Sequence, residues 1–94
     1  MKLINIDSKI LTPAREIYEE LGIKKKFPDW IKYSIKRAML EENKDFNTFL
    51  GESTGGRPSI EYYLTEYSAI SIIAMSGGEN AKEVRDKLVD LLNN

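Results

Sequence analysis

The sequence predicts an α+β fold of about four helices and two β-hairpins, one N-terminal and one central. Three observations predict it. Apolar residues are grouped in short strand-like runs at 2–11 and on both sides of a glycine-rich stretch at 51–59, between turn residues that punctuate hairpins. Elsewhere they recur at helical spacing, the mark of helices with one buried face. No βαβ alternation occurs, so a parallel sheet is not expected. With 94 residues and 41% hydrophobic content, the chain reads as one small domain over 1–94. At this size folding hides roughly 60–65% of the unfolded surface, enough for one modest core.

The opening "LINIDSKIL" sets apolar residues on both sides of Asp7-Ser8 and predicts a hairpin of 2–6 with 9–11. Thr12-Pro13 reads as a helix start, a hydroxyl to cap free N–H groups followed by a proline suited to the first helical position. Ala14, Ile17, Tyr18 and Leu21 then form a stripe that Gly22 stops. Pro28 starts a second helix, with Asp29 in its first turn near the positive end of the dipole. Its inward stripe is Phe27, Ile31, Ile35 and Ala38, widened by Trp30, Ser34 and Met39.

"EENKD" breaks the helical pattern. "DFNTFL" and "SIEYYLT" then read as the strands of the central hairpin, with Ile60, Tyr62 and Leu64 on one face and Glu61 and Tyr63 on the other. Thr65 is placed to cap a third helix. Its Ala69, Ile70, Ile72, Ile73, Ala74 and Met75 make it apolar nearly all round, which predicts burial at the centre of the domain. Gly77-Gly78 ends it. A fourth helix, from about Glu79 to Leu92, aligns Ala81, Val84, Leu88 and Leu91 behind a solvated mixed-charge face. That apolar stripe could also serve a homo-oligomer.

The stretch "GESTGGRPS" at 51–59 superficially resembles a phosphate-binding loop. Such a loop needs lysine, a hydroxyl for Mg²⁺ and a following helix whose N-terminus faces the phosphate. Here Gly56 is followed by Arg57-Pro58 and then by a strand pattern, and proline removes an N–H where donors are needed. The stretch reads as a hairpin tip presenting Arg57.

The composition narrows the chemistry. There is no histidine and no cysteine, which excludes disulfides, thiolate metal sites and every nucleophile–histidine scheme. Glu19-Glu20 and Glu41-Glu42 are adjacent, so they diverge on a helix and form no acid–base dyad. No apolar run has the length of a membrane span. We therefore expect a cytoplasmic binding protein with no cofactor, no membrane partner and no catalytic activity.

Charge is unevenly placed. Lys24, Lys25, Lys26, Lys32, Lys36 and Arg37 face Asp29 alone within one segment, which leaves it at +5 and, on a chain of net charge −1, the rest at −6. The strip reads either as a solvated surface or as the footprint of an anionic partner, DNA or an acidic protein face. Two helices followed by a hairpin with a basic tip suggest a winged-helix-like arrangement. In it the second helix enters a major groove and the wing sets Arg57 on phosphate or in the minor groove. The connection from Gly22 to Phe27 is longer than the usual three or four residues of such turns. Tyr33 and Tyr63 lie off the core stripes and join the candidate contacts. Trp30 reads as a packing residue, with an interface anchor as the alternative. Arg15 and Glu16 read as a mutual pair or as solvated.

A larger pattern joins these pieces. Ala14-Arg15-Glu16, then Phe27 with Trp30-Ile31-Lys32, Glu42 with Asp45-Phe46, Gly56-Arg57-Pro58, Tyr62-Tyr63-Leu64-Thr65, and Glu83 with Arg85 follow in order. That order resembles the phage antirepressor family AntA/AntB, from about Leu11 to Leu88. The resemblance implies a phage or prophage protein of the bacterial host cytoplasm that relieves a transcriptional repressor and favours lytic induction by binding it. Longer relatives carry a C-terminal DNA-binding domain, so the chain is expected to be a stand-alone version or the N-terminal module. Two departures stand out: the third helix opens with "TEYSAISIIAMSGGE", and Leu88-Val89 replaces an aromatic pair. The partner expected is a repressor protein, with double-stranded DNA as the alternative. The residues expected to meet it are Lys24, Lys25, Lys26, Lys32, Tyr33, Lys36, Arg37, Arg57 and Tyr63.

Overall fold

The computed structural model describes residues 2–6, 8–51, 56 and 58–93. In chain order the elements are β1 (Ile4–Ile6), β2 (Lys9–Pro13), α1 (Ala14–Leu21), α2 (Phe27–Ala38), β3 (Phe46–Leu50), β4 (Ile60–Leu64), α3 (Glu66–Ser76) and α4 (Gly78–Leu92). The α+β class stands. The two hairpins are not separate, however: they join into one antiparallel four-stranded sheet of order β1-β2-β4-β3.

The join is made by residues expected to start a helix. Thr12 pairs with Leu64 and Pro13 with Tyr63. Thr12 is 1% exposed and makes no cap, and α1 begins only at Ala14 with Pro13 in the cap position. Strand pairing and burial outweigh the local capping preference here. Proline is tolerated because it is the last residue of β2, where the missing N–H interrupts little of the ladder.

Apart from the start of α1, the helix ends at Gly22, Thr65 and Met39 follow local chemistry with one exception. Gly22 stops α1 in the left-handed region, its N–H donating to Glu19 and Tyr18 carbonyls. Thr65 caps α3 as expected, its hydroxyl accepting from the Ser68 N–H at 3.3 Å. Met39, expected on the inward stripe of α2, instead lies beyond the helix end at φ 58° with 85% of its surface exposed. The left-handed turn at Met39 carries its side chain away from the core, and Leu40 is buried in its place.

The core lies between the sheet and the helices, with Leu11, Ile17, Ile31, Leu64, Ile72, Ile73, Val84 and Leu88 at its centre. An aromatic chain ties α1, α2 and the sheet together: Tyr18 to Phe27 at 5.3 Å, Phe27 to Tyr62 at 6.2 Å and Tyr62 to Phe46 at 5.9 Å. α3 packs against α1, α2, α4 and the sheet. It is less enclosed than its composition predicts, because Ala74 is exposed and Ile70 and Met75 are only half-buried. Gly77 alone separates α3 from α4, and Leu91 is half-buried while Ala81, Val84 and Leu88 are buried.

The "EENKD" break is a tight turn centred on Asp45. Its carboxylate accepts from the Glu41 N–H at 2.9 Å, and its carbonyl accepts from the Thr65 N–H and the Ser68 hydroxyl. One residue thus fixes both the entry to β3 and the start of α3. At the other end of the hairpin, the Gly51 N–H donates to the Ser59 carbonyl at 2.7 Å. A Cβ at Gly51 would come within 2.6 Å of the Ser59 hydroxyl, a contact that rotation of the exposed serine side chain can relieve.

Candidate functional site

The site is built on α2. Phe27, Trp30 and Ile31 turn into the core and are at most 5% exposed. With 3.6 residues per turn, Lys32 and Lys36 then fall on the opposite face, Tyr33 and Arg37 flank it on the Trp30 side, and all four are exposed. Lys24, Lys25 and Lys26 precede them in the connection from α1 and are exposed as well. That connection is tied down. The Ile23 N–H donates to the Tyr18 carbonyl at 3.3 Å, and the Tyr18 hydroxyl donates to the Lys25 carbonyl. Lys25 Nζ sits 4.8 Å from the centre of the Tyr33 ring, a cation–π contact.

Seven of the nine expected contact residues therefore fall on one ridge, formed by α2 and the connection before it. Among the described residues, none of its six cations forms an ion pair with a carboxylate. Tyr63 is placed elsewhere: it pairs with Pro13 and Asn47 on the sheet face opposite Tyr62, and its ring stacks 5.0 Å from Phe49. Arg57 lies outside the described residues.

A groove runs along each flank of the ridge. One, of about 380 Å³, lies between the α1–α2 connection, α2 and the C-terminal end of α3; Lys24, Lys25, Tyr33, Arg37, Trp30 and Met75 are among its walls. The other, of about 370 Å³, lies between α2 and the β3–β4 hairpin, with Lys32 and Lys36 on one side and Thr48, Ile60 and Tyr62 on the other. Beyond that hairpin wall, Leu50 and Ile60 remain 76% and 49% exposed.

The structure also shows a pair that sequence reasoning missed. Arg15 was expected to pair with Glu16 or to be solvated. Instead its guanidinium grips Glu61 through Nε at 2.9 Å and Nη2 at 2.7 Å, while lying 4.1 Å from the centre of the Phe27 ring. β2 stops pairing with β4 at Tyr63, so Arg15 occupies the space that a longer β2 would take beside Glu61. Its hydrogen bonds hold the Glu61 carboxyl below the usual range, against the opposing effect of partial burial. Glu16 accepts from the Lys2 backbone N–H instead. The partners are 46 positions apart, and no local pattern could reveal them.

The surface can attract anions through six unpaired cations and grip apolar groups through two grooves. Among the described residues, no group of three or more acidic side chains is placed to hold a metal ion, and no helix is long and apolar enough to cross a membrane.

The family model of the AntA/AntB antirepressor matches residues 12–76. The chain belongs to the AntA/AntB antirepressor family. The matched segment runs from the end of β2 through α3 and so takes in the whole basic ridge and both grooves. The family motif at Phe27, Trp30 and Ile31 is explained by packing, since these three residues seat α2 in the core. Glu83 and Arg85, which extended the resemblance into α4, lie outside the match. No curated protein and no solved structure matches the chain.

Proposed function

We propose that the chain is a phage or prophage antirepressor that binds a transcriptional repressor, displaces it from operator DNA and favours lytic induction. The observation that carries this reading is the antirepressor family match over 12–76. The ridge supports it, because a cationic surface without internal counter-charges suits long-range attraction of an acidic protein face. Lys24, Lys25, Lys26, Lys32, Tyr33, Lys36 and Arg37 are the contacts we assign, with Arg57 and Tyr63 as outlying ones. The action is binding in the host cytoplasm and needs no cofactor.

The test is capture from nuclease-treated lysate of the lysogenic host, followed by addition of the chain to the recovered repressor on its operator. Recovery of a repressor and its release from labelled operator DNA are expected. A repressor that stays on its operator at saturating chain would remove the proposal.

A second reading is direct DNA binding, favoured by the β3–β4 hairpin flanking the exposed face of α2 in the manner of a wing. Neutralising six phosphates would make log affinity fall with log salt at a slope of about −5. Duplex binding with that slope, in the absence of repressor release, would select the DNA-binding regulator.

A further inference from the structure

We propose that the groove between α2 and the C-terminal end of α3 receives one large apolar side chain from an acidic segment of the partner protein. Lys24, Lys25 and Arg37 hold the carboxylates on either side of that anchor. The proposal rests on the antirepressor reading only for the partner being a protein.

The two grooves differ in charge. The α2–hairpin groove has Glu42 in its wall, whereas among the described residues no acidic one lines the α2–α3 groove. The latter has three cations at its rim, and among the described residues none of them has an ion-pair partner. Its depth is mainly apolar: Trp30 and Ile72 form the base with the buried Ser34 beside them, and Ile23 and Met75, both half-buried, form the sides. Phosphates could reach the rim but would gain little from that base, where one serine stands among apolar side chains and an ion loses hydration. A hydrocarbon or aromatic side chain gains from it, at roughly 25 cal/mol per Å² buried. The volume of about 380 Å³ is at the small end of the range for ligand pockets, about 300–1,000 Å³, which suits a side chain.

The groove is also held in shape. Tyr18 fixes the Lys25 carbonyl, Lys25 rests over Tyr33, and the Ser76 hydroxyl donates to the Ile72 carbonyl at 2.9 Å. A site formed in advance loses less entropy when it is filled.

Trp30 is the only tryptophan in the chain and lies at the base of the groove, so its fluorescence reports occupancy. The probe is a pool of short tryptophan-free peptides in which one phenylalanine, leucine or isoleucine is flanked by aspartates and glutamates. A saturable change in Trp30 emission is expected. Binding should weaken about tenfold or more when the apolar residue becomes alanine, and equally in the Lys25→Glu/Arg37→Glu variant. Both substituted residues are exposed, and circular dichroism checks that the variant is folded.

No response from any peptide, or the same affinity for the alanine peptides, would overturn the proposal. So would a response of Trp30 to random duplex DNA that the peptides fail to produce. The two proposals fail separately. Undiminished repressor capture by the charge-reversed variant removes the groove and leaves the antirepressor standing. Specific peptide binding beside absent repressor release does the reverse.

Discussion

α2 and α4 are both amphipathic helices with a charged outer face, yet their charges are arranged in opposite ways. On α4, Lys82 meets Asp86 at 2.8 Å and Lys87 reaches Glu20 of α1 at 3.1 Å. The Asp86 carboxyl is held below its usual range, first by the Lys82 hydrogen bond. On α2, Lys32 and Lys36 are like charges at i and i+4, a spacing that destabilises an isolated helix by about 0.2–0.5 kcal/mol. α4 uses its charges within the fold; α2 leaves them to solvent or to a partner. The family match divides the two helices in the same place, including α2 and excluding α4.

The comparison can be broken at its base by removing the inward side of α2. Trp30 is 5% exposed and in ring contact with Tyr18 and Phe27. Trp30→Ala should cost about 3–5 kcal/mol, read as a large loss of denaturation midpoint. A midpoint unchanged by this substitution would mean that α2 is not seated as described.

The outward sides are compared by reversing two charges on each helix. Lys32→Glu with Lys36→Glu should leave stability within about 0.5 kcal/mol, since no ion pair is lost, and should weaken partner capture about tenfold or more. Lys82→Glu with Lys87→Glu, which breaks both pairs, should lower the denaturation midpoint slightly, since exposed pairs are weak, and leave capture unchanged. Equal effects of the two pairs on capture would show that overall charge, rather than the ridge, attracts the partner.

Arg15 sharpens the contrast within the matched segment, because there a cation is fully engaged. The pair is 38% and 21% exposed on its two side chains, so solvent screening limits its worth. With the Phe27 contact added, Arg15→Ala should cost about 1–2 kcal/mol. The sign of the pH effect follows from Glu61. Its folded value is depressed, first by the hydrogen bonds from Arg15, so this stabilisation is present above the ordinary glutamate value of 4.5. It is lost as pH falls from there through the folded value. The difference between wild type and Arg15→Ala in urea melts should therefore shrink over that acid window. A difference that grows there would remove the ion pair as its cause.

Much of this contrast was legible in the sequence. The period of α2 put its cations on one face, and Gly22, Thr65 and the proline at the start of α2 marked real boundaries because the chemistry of those ends is local. What was not legible came from distance. Thr12 looked like a cap because its pairing with Leu64 lies 52 positions away, and Arg15 found Glu61 rather than its neighbour for the same reason. The α2–α3 groove needs Ile72, Met75 and Ser76 beside Trp30, a meeting that no spacing within α2 announces. Among these, Met39 is a different kind of miss: its apolar character suggested burial, while the backbone needed a turn.

Met39 also gives the smallest expected effect and the most local one. α1 and α2 end in the same way, in left-handed residues at φ 66° and 58°, but α1 ends on glycine and α2 on methionine. For a residue with a Cβ that conformation costs roughly 1–2 kcal/mol, and the exposed methionine side chain recovers little by burial. Met39→Gly removes the strain while adding about 0.5–1 kcal/mol of unfolded-state entropy. The expected net gain is about 0.5 kcal/mol, or a rise of roughly 2–4 °C in Tm. Gly22→Ala tests the same turn in reverse. An added Cβ there meets only Asn80 Nδ2 at 3.8 Å, an ordinary contact, so a loss of about 1 kcal/mol would be conformational. If Met39→Gly lowers Tm while Gly22→Ala does so too, the methionine side chain contributes contacts that outweigh its strain, and the outer surface of α2 is less free of internal duties than its unpaired charges suggest.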